Sequence, residues 1–157
     1  MANTASVCSS FLGEVLTATH NFGASPTRGT SAADSFKAAL YFASATIDAT
    51  ATVYTATGEV TGTGYTAGGV AITNATAPLS VNTSSTAGVG YWTPSSSITY
   101  TSVTLTAFNA MLMYNSTQSN KAVAVYTFGS QTITAGTFTL TMPTNNSTSA
   151  LLRIATT

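Results

Sequence analysis

His20 is the one histidine of this chain and Cys8 its one cysteine, so acid–base or nucleophilic chemistry has little material to draw on. A hydrolase of the serine type needs a nucleophile with a positioned base. Serines such as Ser25 and Ser31 are plentiful, but their abundance is composition and not a signal. His20 follows an apolar stripe, which suits a helix-terminal or interface role in which a donor answers free carbonyls. The four acids, Glu14, Asp34, Asp48 and Glu59, fall in different elements, two of them in predicted loops. The close carboxylate pair of a glycosidase is therefore not expected. No two of His20, Cys8 and the acids show the clustered spacing of a zinc site, and loop oxygens for calcium are the one remaining metal route. The segment from Gly62 to Gly69 matches a phosphate loop in glycine content alone. It lacks both the Lys-Ser/Thr ending of a Walker motif and a Gly-x-Gly-x-x-Gly run opening a helix, so it reads as a structural turn. These residues predict no catalytic site, no metal and no cofactor.

The composition narrows the class further. Four acids and four bases (Arg28, Lys37, Lys121, Arg153) in 157 residues give a net charge of zero with 44% hydrophobic residues. Disorder calls for the opposite combination. Scattered single cations do not form a phosphate-neutralising surface, which excludes nucleic acid as a partner. So little charge suits a lone soluble particle poorly and predicts a surface covered by neighbouring subunits. A lone cysteine allows no internal disulfide, and Cys8 reads as a small buried hydrophobe. Met1 to Thr4 has neither a basic nor a long apolar region, so neither a leader nor a membrane span is expected. The sequons at Asn74, Asn82, Asn115, Asn145 and Asn146 follow from a chain rich in Asn, Thr and Ser, and glycosylation is not expected.

Threonine makes up about one residue in five, which together with the recurrent Tyr and Phe points to strands. Cys8, Phe11, Leu12, Val15 and Leu16 form a helical stripe, with Ser9 or Ser10 as cap and Glu14 pointing away from the stripe. Pro26 to Gly29 reads as a turn. Residues 35 to 43 alternate as a central strand, Thr52 to Tyr54 as a short strand or loop, and Val70 and Ile72 lead a strand to about residue 74. Gly88 to Trp92 and Ile98 to Leu105 add strand around a turn at Pro94 to Ser97. Ala107 to Tyr114 fits a helix or a fully buried strand; strand is preferred because Asn115 to Asn120 looks like a hairpin tip before the extended Ala122 to Phe128. Gly129 to Ala135 reads as a bend, Phe138 to Met142 as a half-buried strand, and Leu152 and Ile154 as a closing strand. The fold class expected is mainly β, a single domain over 1–157: an antiparallel β-sandwich of seven or eight strands, with residues 1–30 as a short N-terminal helix and arm.

Large amphipathic rings concentrate binding energy at interfaces. Tyr65, Tyr91 and Trp92 lie in or beside glycine-rich turns, where each ring either projects toward another subunit or packs in the core. Phe11, with the stripe beside it, either covers one end of the sandwich or reaches an adjacent subunit.

The segments Ser10-Phe11, Ser35 to Tyr41 and, most specifically, Glu59-Val60-Thr61-Gly62-Thr63-Gly64-Tyr65-Thr66-Ala67-Gly68-Gly69 resemble a family of small structural proteins of tailed-bacteriophage particles. Phe128-Gly129, Ala135 to Leu140 and Leu151 to Ile154 match its closing strands, so the resemblance spans nearly the whole chain. It implies a β-sandwich virion component without catalytic residues. The resemblance leaves the place in the particle open; a low-charge, threonine-rich surface, cheaper to desolvate, makes a head decoration or cement subunit that assembles in the host cytoplasm the expected role. Its partners would be the major capsid protein and further copies of itself, with no nucleic acid and no membrane. The alternatives are a neck, tail or fibre component, or a carbohydrate-binding attachment module.

Overall fold

The computed structural model describes residues 4–16, 18–22, 33–73, 76–83 and 86–155. The turn at Pro26 to Gly29, the sequon residue Asn74 and the side chains of Leu12 and Leu16 lie outside the described residues. Within them the chain forms β1 (Thr4–Val7), α1 (Ser9–Leu16), β2 (Phe36–Phe42), β3 (Val70–Ile72), β4 (Leu79–Thr83), β5 (Thr86–Trp92), β6 (Ile98–Asn115), β7 (Lys121–Leu140) and β8 (Leu152–Ala155). One sheet has the order β1-β7-β6-β2-β3 and the other β4-β5-β8. Every pairing is antiparallel. The protein is thus mainly β, with two sheets, eight strands and one short helix among the described residues, as the composition predicts. Among them no helix is long and apolar enough to cross a membrane.

The core lies where β2, β6 and β7 run side by side. Phe36, Ala38 to Tyr41, Ala110 to Tyr114 and Ala122 to Val125 are all buried. Both faces of these strands are covered, so their sequence is a continuous apolar run in place of an alternation. This explains why Ala107 to Tyr114, compatible with a helix by pattern, folds as strand. The two sheets meet through Phe36 of β2 and Trp92 of β5, with Phe22 stacked on Phe36 at 4.5 Å and tilted against Trp92 at 4.9 Å.

β6 and β7 form a long ribbon, and here the sequence expectation needs correction. No bend interrupts Gly129 to Ala135; β7 runs through it. Gln131, Thr132, Ile133 and Thr134 keep a period of two, and the curvature that a turn would give comes from register shifts in the ladder. Ser102, Ala107 and Ala135 stand at three of these shifts with φ of 54°, 51° and 46°. That left-handed conformation is the usual device of a bulge, normally entrusted to glycine. The hairpin tip is as expected: Ser119 and Asn120 both have positive φ and Lys121 N donates to Gln118 O at 3.2 Å, a type I′ turn. β1 and β4 are strands that the sequence reading did not anticipate.

Candidate functional site

A groove of about 200 Å³ opens between α1 and the three-stranded sheet. Phe11 and Val15 of α1, His20, Leu79 of β4, Tyr91 and Trp92 of β5 and Ile154 of β8 are among the residues that line it. Helix α1 is pinned against the large sheet at its start, where Cys8 N donates to Val123 O and Ser9 N to Ala49 O, both at 3.0 Å. Its end is a Schellman cap: Thr19 N donates to Glu14 O at 2.9 Å and Ala18 N to Val15 O at 3.1 Å, with Ala18 at φ 53°. This cap reverses the chain and returns His20 beneath the helix.

Val15, Leu79 and Ile154 are 38%, 49% and 43% exposed, three of the four large apolar side chains that stand out of the surface among the described residues. Their convergence on one groove is the feature that marks a site, since single exposed hydrophobes are ordinary. The groove is smaller than the roughly 300–1,000 Å³ typical of cofactor and small-molecule pockets. It has the size for one or two inserted side chains.

Below the groove lies a polar network. His20 Nε2 is 2.7 Å from Glu14 Oε2, and Lys121 Nζ donates to Glu14 Oε1 at 2.7 Å. Asn115 Nδ2 donates to Asp34 Oδ2 at 2.7 Å and lies 3.1 Å from His20 Nδ1. Asn115 Oδ1 accepts from the amides of Thr117 and Gln118, which fixes the orientation of its amide group. The geometry therefore fits an imidazole that carries its proton on Nε2. Glu14 does not point away from the core as the stripe suggested; its side chain is turned inward and only 12% exposed. Burial alone would raise its pKa, but the hydrogen bonds from Lys121 and His20, with the positive charge of Lys121, outweigh this and hold the carboxyl below its usual range. The His20 side chain lines the groove but has no exposed surface, and both of its nitrogens are engaged in the network. Cys8 is fully buried, and burial pushes its thiol up to about 11, away from the reactive thiolate.

The glycine-tyrosine segment forms a second network, on the edge of β2 beyond the end of β3. Glu59, nearly inaccessible, accepts from the hydroxyls of Tyr54 and Tyr65 and from Gly68 N. Tyr65 Oη in turn accepts from Leu40 N at 3.0 Å, Val60 N donates to Leu40 O at 3.0 Å, and Tyr100 Oη donates to Ala38 O at 2.7 Å. The backbone of Gly58 to Val60 and the Tyr65 hydroxyl thus complete an edge that β3 leaves open. Gly69, at φ 71°, lies so close that a Cβ would come within 1.6 Å of Ala38 O. Burial and the hydrogen bond to Glu59 push Tyr54 up to about 12 and Tyr65 further still.

Of the residues singled out from sequence, Phe11, Tyr91 and Trp92 come together at the groove, and Tyr65 lies apart in the Glu59 network. Phe11 and Trp92 are each 2% exposed, and Trp92 Nε1 donates to Thr76 O at 2.8 Å. Both rings line the groove, and Tyr91 beside Trp92 is half-buried. Sequence reasoning missed Leu79, whose signal was the short alternation Leu79-Ser80-Val81 now seen as β4. Ile154 lies in the closing strand that its spacing predicts, but on the surface. Among the described residues no three His, Cys, Asp or Glu side chains gather as a metal site would need. Comparison of the chain with family models, with curated proteins and with solved structures gives no match in any of the three.

Proposed function

We propose that the protein is a non-enzymatic structural subunit of a bacteriophage particle, a head decoration subunit that docks on the major capsid protein through the groove beside α1. The observation that carries this reading is the gathering of Val15, Leu79 and Ile154 around one apolar recess on an otherwise weakly charged chain. An apolar side chain of the capsid protein fits such a recess in volume and in polarity. A surface poor in charge is also less costly to desolvate. One groove of this size is a modest contact, and repetition over a symmetric shell multiplies it. The phage assignment rests on the sequence resemblance, and the mode of docking on the groove. A sugar-binding role would call for an exposed ring, and Trp92 does not offer one.

The test is co-sedimentation of the purified protein with capsids that lack it, comparing the natural chain with Leu79→Asp. The natural chain is expected to bind, and the variant to lose about tenfold or more in affinity, as for an interface anchor. No binding by the natural chain would rule out the decoration role. Equal binding by both would place the contact elsewhere.

A further inference from the structure

The sheets end in edges of very unequal length. β3 has three residues, β1 and β8 four each and β4 five; edges this short are poor templates for pairing. β7 is different. Among the described residues β1 covers its outer edge from Ala124 to Thr127, and past that point the one strand neighbour described is β6. From Gly129 to Thr139 no backbone hydrogen bond other than those to β6 is made among the described residues. Side chains engage this stretch at two backbone atoms, Gln131 Nε2 at Gly129 O and Thr104 Oγ1 at Ala135 N. The open edge is about 35 Å long at roughly 3.3 Å per residue.

Natural proteins guard long edges with lysine, proline or inward-pointing charge. Here none is present: no charged residue occurs between Lys121 and Arg153, and the first proline after the hairpin is Pro143. The bulge at Ala135 is the one guarding device on this edge. The surface beside it is threonine-rich, with Thr132, Thr134, Thr137 and Thr139 of β7 and Thr99, Thr101 and Thr106 of β6 all exposed. Thr99 and Thr139 stand directly opposite one another, their hydroxyls 3.4 Å apart.

We infer that the Gly129 to Thr139 edge of β7 pairs with the same edge of a second copy of this chain, antiparallel about a two-fold axis, to make one continuous sheet across the dimer. An identical neutral edge meets no like charge when it pairs with itself. An antiparallel two-fold also closes the contact, so that a dimer and not a fibre results. Pairing would cover Ile133 and Leu140, which the single chain leaves half-buried. The inference is independent of the capsid reading, because it concerns only copies of this chain.

Sedimentation equilibrium and amide hydrogen exchange on the full chain test it. Dimerisation is expected to rise with concentration and to slow exchange in Gly129 to Thr139 by about tenfold or more. Thr134→Lys/Thr137→Lys, at two exposed positions, is expected to weaken the dimer about tenfold or more while leaving the melting of the monomer unchanged. Leu79→Asp in the groove should leave the dimer intact. A chain that stays monomeric at every concentration would overturn the inference. So would a dimer that is lost with Leu79→Asp but survives the lysine pair, or an edge that becomes protected only when capsids are added.

Discussion

The two ends of the β6–β7 ribbon are built on different principles. At the hairpin end, Glu14, His20, Asp34, Asn115, Gln118 and Lys121 interlock through side-chain hydrogen bonds that tie α1 to the sheet. At the far end, from Ile98 to Thr106 and from Gly129 to Leu140, no residue is charged, and the order comes from the ladder, the aromatic packing of Phe108, Phe128 and Phe138, and rows of threonine. The first end specifies its geometry through a few irreplaceable groups. The second distributes it over many equivalent ones, and its remaining backbone groups are open to whatever strand arrives.

That contrast can be broken at the hairpin end first. Asn115→Ala removes the acceptor of two amides and the donor to Asp34 in a fully buried place, and should cost about 2–4 kcal/mol in a denaturant titration, since stranded buried polar groups carry most of the penalty. Thr101→Ser at the ribbon end should change stability by less than about 0.5 kcal/mol; comparable losses would erase the distinction.

A smaller effect belongs to Glu14→Gln, expected to cost about 1 kcal/mol at neutral pH because Lys121 is 40% exposed and solvent screens the pair. The folded carboxyl has the lower pKa, so its contribution is complete above the ordinary value of 4.5 and disappears as pH falls through the folded value. Thermal melts should therefore show the variant and the natural chain converging in acid. A gap that persists below that range would show that charge is not what Glu14 supplies.

The last effect has the opposite sign. Ala107 is exposed and held at φ 51°, so Ala107→Gly relieves a strained backbone without loss of packing and should raise stability by about 0.5–1 kcal/mol. A drop in the melting temperature would mean that the bulge is not under strain.

Much of the fold was legible because period and composition are local properties. α1, β2, the hairpin tip and the closing strand follow from apolar spacing and turn chemistry. The continuity of β7 was not legible, because Gly129 and Gly136 resemble turn residues and the bulges that replace a turn are carried by Ser102, Ala107 and Ala135, residues with no such signature. The site was legible in part. Tyr91, Trp92 and Phe11 were identified from residue type, but their meeting with Val15, Leu79 and Ile154 depends on β5 pairing with both β4 and β8, a long-range arrangement that no spacing announces. Glu59 carries no local signal of burial. Its burial depends on two tyrosines and a glycine amide that fold around it.

The absence of ionised groups along the far half of β7 has a consequence for the medium in which the protein works. Counter-ions weaken contacts between charges over distances of about 10 Å at moderate salt, and here they would find nothing to shield. A strand joined to that edge would hold equally well in dilute buffer and in brine, leaving dilution, and not ionic strength, as the means of separating it.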